Sequence, residues 1–168
     1  ATFNDAASPK VKTEKFKLYM NMGTAATPDW ELQGRGVGSW TIEQNEEITK
    51  ETDVLGMVDM ERGTPQPVQS GVKINVRSGS KLAGMLFDAW YKNDKSALDA
   101  IQILQKFEFV DSAATGSVLA RLEDDVMISI NNFTGEAGGY LGFEIDIHYA
   151  NKTTLGSMTL VDATPVVL

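Results

Sequence analysis

The stretch Tyr140-Leu141-Gly142-Phe143-Glu144-Ile145-Asp146-Ile147-His148-Tyr149 alternates apolar and polar side chains with a period of two. Successive side chains of a strand point to opposite faces, so this pattern predicts a strand with one buried and one polar face. The predicted buried residues are Leu141, Phe143, Ile145, Ile147 and Tyr149. Glu144 and Asp146 then share the opposite, polar face with His148.

The same alternation recurs along the chain on both sides of this stretch. Residues 15–22, 37–51, 68–77, 123–130 and 157–161 each alternate or form short apolar runs. Between them, Leu82, Met85, Leu86, Ala89 and Trp90 recur at helical spacing, which predicts a helix over residues 80–92. The whole chain is therefore predicted to be one mainly β domain, an antiparallel β-sandwich or barrel with one flanking α-helix.

Three segments fit neither period. Residues 1–14 mix small and polar residues and are expected to form an N-terminal arm, and residues 162–168 a C-terminal arm. Residues 52–69 are expected to form a long loop that is unusually apolar, with Val54, Leu55, Met57 and Met60. Loops of this length inside a compact domain are usually functional or disordered, and the apolar content argues against disorder.

Composition excludes several classes of function. The chain has 168 residues, no cysteine, a single histidine and a formal net charge of −8. Disulfides, thiolate metal sites and sites built from several histidines are excluded within one chain, so no metal or other cofactor is expected. The negative charge disfavours affinity for nucleic acid. No apolar run of membrane-spanning length and no signal-peptide pattern is present, which predicts a protein made in a cytosol without a membrane partner.

No set of residues predicts catalysis, so the chain is not expected to be an enzyme. His148 shares a strand face with Glu144 and Asp146, but no nucleophile at a strained turn accompanies it. The glycine-rich residues 34–38 precede a strand instead of opening a helix and lack the lysine and hydroxyl of a phosphate-binding loop. The acidic residues within 94–99 and 124–125 do not have the spacing of a calcium loop and are expected to be solvated.

Aromatic residues leave one binding function open. Trp40 and Trp90 fall on apolar faces and are expected in the core, whereas Trp30 is a candidate for an exposed platform. Together with Asp29 and Glu31, Trp30 would suit a carbohydrate-binding β-sandwich module.

The acidic residues are distributed unevenly. Glu43 and Glu47 lie on the polar face of the predicted strand 37–51, and Glu144 and Asp146 lie on that of the strand 140–149. One interpretation is an ordinary solvated sheet, which is common in antiparallel sheets. The other is a face that lines an opening.

The order of these features resembles that of the major tail proteins of long non-contractile-tailed bacteriophages. The resemblance spans nearly the whole chain and is carried by the arm, Lys15 to Met20, Trp40 to Glu46, the long loop, Gly71 to Val76, the helix with Leu86 to Trp90, and Gly142 to Ile147. The tube proteins of contractile tails and of type VI secretion share that fold, so those related systems remain open as alternatives.

The resemblance implies a self-assembling structural subunit. It implies hexameric rings that stack into a tail tube, with genomic DNA passing through a negative lumen without being gripped. The lumen candidates are Glu43, Glu47, Glu144 and Asp146, and the ring-stacking candidates are Val54, Leu55, Met57 and Met60. Implied partners are other copies of the chain, a tape-measure protein and tail terminator or initiator proteins. The implied location is the virion tail, assembled in the host cytoplasm.

Overall fold

A computed structural model describes residue 3 and residues 10–33, 40–113 and 115–159. Two short 3-10 helices cover Thr13–Lys15 and Ser96–Leu98, and helix α1 covers Lys81–Lys92. The strands are β1 (Phe16–Asn21), β2 (Trp30–Gln33), β3 (Thr41–Glu43), β4 (Ile48–Thr52), β5 (Val58–Arg62), β6 (Val68–Asn75), β7 (Ile101–Asp111), β8 (Ser117–Thr134), β9 (Gly142–His148) and β10 (Lys152–Thr159). The predicted class, mainly antiparallel β with one flanking α-helix, is confirmed over the described ranges.

Strand β8 joins two layers. Its first half is hydrogen-bonded to β7 on one side and to β10 on the other, and its second half is hydrogen-bonded to β9. The order β2-β1-β7-β8-β9-β6-β3 runs across the sheet, and every pairing along it is antiparallel. Strands β4 and β5 pair only with each other among the described strands.

The main core lies between the layers. Leu18 of β1 and Ile103 of β7 belong to the same cluster as Ile74 of β6 and Phe143 of β9. Helix α1 adds one apolar stripe to this cluster, consisting of Leu82, Leu86 and Ala89. The inward-facing apolar residues of the strands and the apolar stripe of α1 therefore pack together in one core.

A polar bridge also crosses between the layers. Gln105 of β7 donates from Nε2 to the Tyr149 hydroxyl at 3.2 Å, and that hydroxyl donates to Gln69 Oε1 of β6 at 2.9 Å. Gln105 Oε1 accepts two hydrogen bonds from Arg121. Burial raises the pKa of the Tyr149 hydroxyl well above its ordinary value, so it keeps its proton and its role as a donor.

The start of α1 is held by a serine cap and by a glutamate of β2. Ser80 caps the helix by accepting from the Ala83 N–H at 3.3 Å. Glu31 of β2 accepts from the Ser80 hydroxyl at 3.1 Å and from the Lys81 N–H at 3.0 Å. A carboxylate at a helix N-terminus is favourable because it meets unpaired N–H groups and the positive end of the helix dipole. The helix predicted over residues 80–92 therefore has Ser80 as its cap and begins at Lys81.

Two predicted segments differ from the structure. The strand predicted over 37–51 is interrupted, because β3 ends at Glu43 and β4 begins only at Ile48, with Asn45 between them in the left-handed region. The loop predicted over 52–69 contains all of β5 and the start of β6.

The arms lie mostly outside the described residues. Of residues 1–14, Phe3 forms a bridge with Val110, and the 3-10 helix begins at Thr13. Residues 162–168 lie entirely outside the description, as do residues 34–39 with the glycine-rich stretch.

Truncation of Leu86 to alanine is expected to lower the free energy of unfolding by about 2–5 kcal/mol, because its fully buried side chain would leave a cavity between α1 and the sheet. Urea unfolding followed by circular dichroism measures the change. Leu155→Ala is the matched control, since Leu155 is 77% exposed. Equal losses in the two variants would contradict the described core.

Candidate functional site

Three of the four lumen candidates share one face of the sheet. Glu43 pairs with Val68, which pairs in turn with His148 on the other side of β6. Opposed residues of paired strands project to the same side, and Glu144, Asp146 and His148 alternate along β9. We call this outward face of β3, β6, β9 and the second half of β8 the acidic sheet face.

The fourth candidate, Glu47, is not on that face. It lies between β3 and β4, where its carbonyl accepts a hydrogen bond from the Gly63 N–H at 2.7 Å. The sequence alternation predicted Glu43 and Glu47 on one strand, but the observed strand ends at Glu43 and the backbone at Asn45 is left-handed. The structure therefore places Glu47 at the base of a separate hairpin.

Other polar and basic groups lie beside the acidic residues of this face. Asp146 Oδ1 accepts from the Gly71 N–H at 3.2 Å, at an irregularity in the β6–β9 pairing where Gly71 has a φ of +68°. Lys73 lies directly opposite Glu144. Ser129 Oγ and His148 Nε2 are 3.0 Å apart. Asp146 is thus partly engaged by the backbone, whereas Glu43 is exposed.

The Ser129–His148 pair is open to solvent on a strand surface. Catalytic serine–histidine pairs need a third group that orients the histidine and donors for the developing oxyanion. Among the described residues, no carboxylate hydrogen-bonds to His148, and no group of acidic or histidine side chains could hold a metal ion.

Strands β4 and β5 form what we call the projecting hairpin, residues 48–62. All ten of its strand residues are exposed. The register places Thr49, Glu51, Asp59 and Glu61 on one face. The other face carries Ile48, Val58 and Met60 beside Lys50 and Arg62. The hairpin is therefore amphipathic although it belongs to no core.

The turn of the projecting hairpin is held by its own side chain. Asp53 Oδ1 accepts from the N–H groups of Leu55 and Met57, each at 2.9 Å. Gly56 has a φ of +79°, a conformation that favours glycine. The turn displays Val54, which is fully exposed, beside Leu55 and Met57.

The four stacking candidates therefore lie together on the projecting hairpin. Val54, Leu55 and Met57 are in its turn, and Met60 is on the apolar face of β5. Ile48 and Val58 share that face but were not among the residues predicted from the sequence. The turn-forming residues Asp53 and Gly56 between two short β-prone segments are the sequence signal for this hairpin.

The aromatic residues are placed differently from the prediction. Trp30 packs against Tyr19 and Leu104 in a second apolar cluster, whereas Trp90 is 46% exposed. Trp40 is partly buried against the main core and contacts the Phe16 ring at 4.9 Å between centroids. The core expectation was therefore wrong for Trp90, because its ring lies outside the buried stripe of α1.

The residues suggested for sugar binding are engaged within the fold. Asp29 forms an ion pair with Lys81, and Glu31 holds the start of α1. With Trp30 packed into a cluster, the three side chains do not form an exposed platform.

Comparison with known proteins shows a shared fold. No protein-family model and no curated protein sequence matches the chain. A chain from the sheath–tube complex of an extracellular contractile injection system, PVC, in the extended state is similar with a TM-score of 0.53 and 11% identity, over 92% of this chain and 95% of that chain.

Two further structures resemble it to the same degree. The tube-terminating cap of the anti-feeding prophage AFP has a TM-score of 0.53 and 14% identity, covering 92% of this chain and 95% of that one. A chain from the PVC sheath/tube terminator complex has a TM-score of 0.53 and 12% identity, covering 89% and 99%. Two of these three similar chains thus come from an extracellular contractile injection system, and the third comes from a tube-terminating cap. Within the described part of this chain, no helix has the length and apolarity to cross a membrane.

Exchange of Leu55 and Met57 for glutamate is expected to change the free energy of unfolding of the dissociated chain by less than about 0.5 kcal/mol. Both side chains are largely exposed, and exposed substitutions have small effects. Urea unfolding of dilute protein tests this expectation. A loss comparable to that of Leu86→Ala would show that the tip packs on the body of its own chain.

Proposed function

We propose that this chain is a structural subunit of a tail tube, without catalytic activity, that assembles into stacked hexameric rings. The observation that carries the proposal is the projecting hairpin, whose apolar tip is exposed on a chain that otherwise has well-packed clusters. Exposed apolar surface of this kind marks an interaction site. The fold shared with chains of tube-bearing particles supports the same conclusion.

The ring contacts follow from the open edges of the sheet. Strands β2, β3 and β10 each pair on one side only among the described strands. Unpaired edges are templates for pairing with another chain, so pairing within a ring would satisfy them. The proposed partners are other copies of this chain, with a tape-measure protein and terminator or initiator proteins at the tube ends.

The acidic sheet face is the proposed lumen. It carries Glu43, Glu144 and Asp146, with Lys73 and His148 beside them. A lumen with net negative charge repels phosphate, so a DNA duplex would pass without being retained. Glu47 at the base of the hairpin would lie near the junction of two rings.

Two kinds of particle use such a tube. A long non-contractile phage tail ejects DNA through the lumen, and the particle is a virion assembled in the host cytoplasm. A contractile particle is the second candidate, favoured by the likeness to PVC and AFP chains.

The double change Leu55→Glu and Met57→Glu is expected to abolish stacked tubes and leave at most single rings. Each buried apolar side chain contributes about 1.5–3 kcal/mol, and the loss recurs at every copy around a ring. Negative-stain microscopy with light scattering, up to millimolar protein, measures tube length. Met127→Glu, at an exposed position on the acidic sheet face, is the control and keeps its tubes. Unchanged tube length in the double variant would reject the stacking role.

Reversal of Glu43 and Glu144 to lysine is expected to make assembled tubes retain duplex DNA in a salt-dependent manner, because cations on the lumen wall bind phosphate. Protection of the DNA from nuclease measures retention inside the tube. Glu136→Lys, in an exposed turn away from this face, gives no protection. Equal protection by unmodified tubes would contradict a repelling lumen.

A further inference from the structure

The projecting hairpin and helix α1 lie at opposite ends of β6. The chain enters β6 at Val68 from the hairpin and leaves it at Asn75 toward α1. The hairpin continues from the Val68 end, because Glu43 pairs with Val68 and the Gly63 N–H donates to the Glu47 carbonyl. Seven residue-to-residue steps of about 3.3 Å each separate Val68 from Asn75 by roughly 23 Å.

Helix α1 carries an exposed aromatic face. Phe87, Trp90 and Tyr91 are 43%, 46% and 72% exposed and lie three and four residues apart. The rings of Phe87 and Tyr91 stack with centroids 5.8 Å apart, and Trp90 is supported by Phe133 at 4.8 Å. The aromatic face is therefore preformed and is separate from the buried stripe of Leu82, Leu86 and Ala89.

The charges of the two ends are opposite. Residues 46–62 contain six acidic and two basic residues, a net charge of −4. Residues 77–95 contain four basic and two acidic residues, a net charge of +2. Complementary potentials favour association of unlike ends and disfavour association of like ends.

We propose that the tip of the projecting hairpin of one copy docks on the aromatic face of α1 in the next copy along the tube. This inference rests on the proposed tube function and identifies the surface that receives the hairpin. Leu55 and Met57 supply apolar and thioether groups, and thioethers pack favourably against aromatic rings. A contact between different surfaces at opposite ends is heterologous, so repetition extends the assembly wherever the rotation between copies does not close a ring.

The test uses the absence of native cysteine, which leaves engineered cysteines as the only thiols. Leu55→Cys and a longer, tagged Tyr91→Cys chain are mixed, assembled and oxidised, and hetero-dimers are identified by mass on a non-reducing gel. A disulfide needs Cα atoms within about 7 Å, so efficient formation reports direct contact. Asp88→Cys, also exposed on α1, provides a second receiving position.

The control pairs Leu55→Cys with tagged Met127→Cys, whose side chain is also exposed but lies on the acidic sheet face of β8. Cross-linking of the helix pairs at least tenfold above this control supports the inference. Tubes in which neither helix position exceeds the control overturn it and leave the tube function standing. Cross-linked hetero-dimers without tubes support the docking and overturn the tube. Absence of any assembly or cross-link overturns both.

Discussion

Strand β8 belongs to both layers at once, because its first half is hydrogen-bonded to β7 and β10 and its second half to β9. A single strand that serves two layers fixes where each begins and how their inner faces meet. The apolar cluster that includes Leu18, Ile103 and Phe143 depends on this arrangement. The acidic sheet face also depends on it, since β9 is held in register by the second half of β8.

The polar bridge through Tyr149 complements that covalent continuity. Hydrophobic packing holds two layers together without specifying their offset, whereas hydrogen bonds from Gln105 to Tyr149 and from Tyr149 to Gln69 are directional. Loss of one partner would leave a buried polar atom unsatisfied, which is costly. The proposed lumen wall is therefore carried by a layer whose position is set by geometry as well as by burial.

Sequence periodicity predicted the elements that contact the core. The alternation over residues 140–149 correctly indicated that Phe143, Ile145 and Ile147 are buried, although Leu141, predicted buried with them, is 53% exposed. Helical spacing correctly located α1. Periodicity failed for the projecting hairpin, because neither strand is buried and no face is selected by a core. It also failed for Tyr19, which alternates with Lys17 and Asn21 on the polar face predicted for residues 15–22 but is buried by the second cluster around Leu104 and Met158. Such burial depends on strands distant in sequence.

The same reasons explain what was predictable in the candidate site. Glu144 and Asp146 share a face because they are two residues apart in one strand, a local property. The position of Glu43 beside them requires the pairing of β3 with β6 and of β6 with β9, and the displacement of Glu47 depends on the backbone at Asn45. The aromatic face of α1 was not predicted, because Trp90 also fits the helical spacing of the apolar residues. Trp90 follows the last buried position, Ala89, by one residue and lies outside the buried stripe.

The turn anchored by Asp53 has a consequence for the entropy of association. Its side chain already holds the backbone of Leu55 and Met57, so the backbone of the tip is ordered before any partner arrives. Ordering a flexible segment on binding costs about 0.5–1.5 kcal/mol for each immobilised side chain, in addition to backbone terms. The backbone part of that cost is met when the chain folds. More of the free energy of apolar contact therefore remains as affinity between subunits.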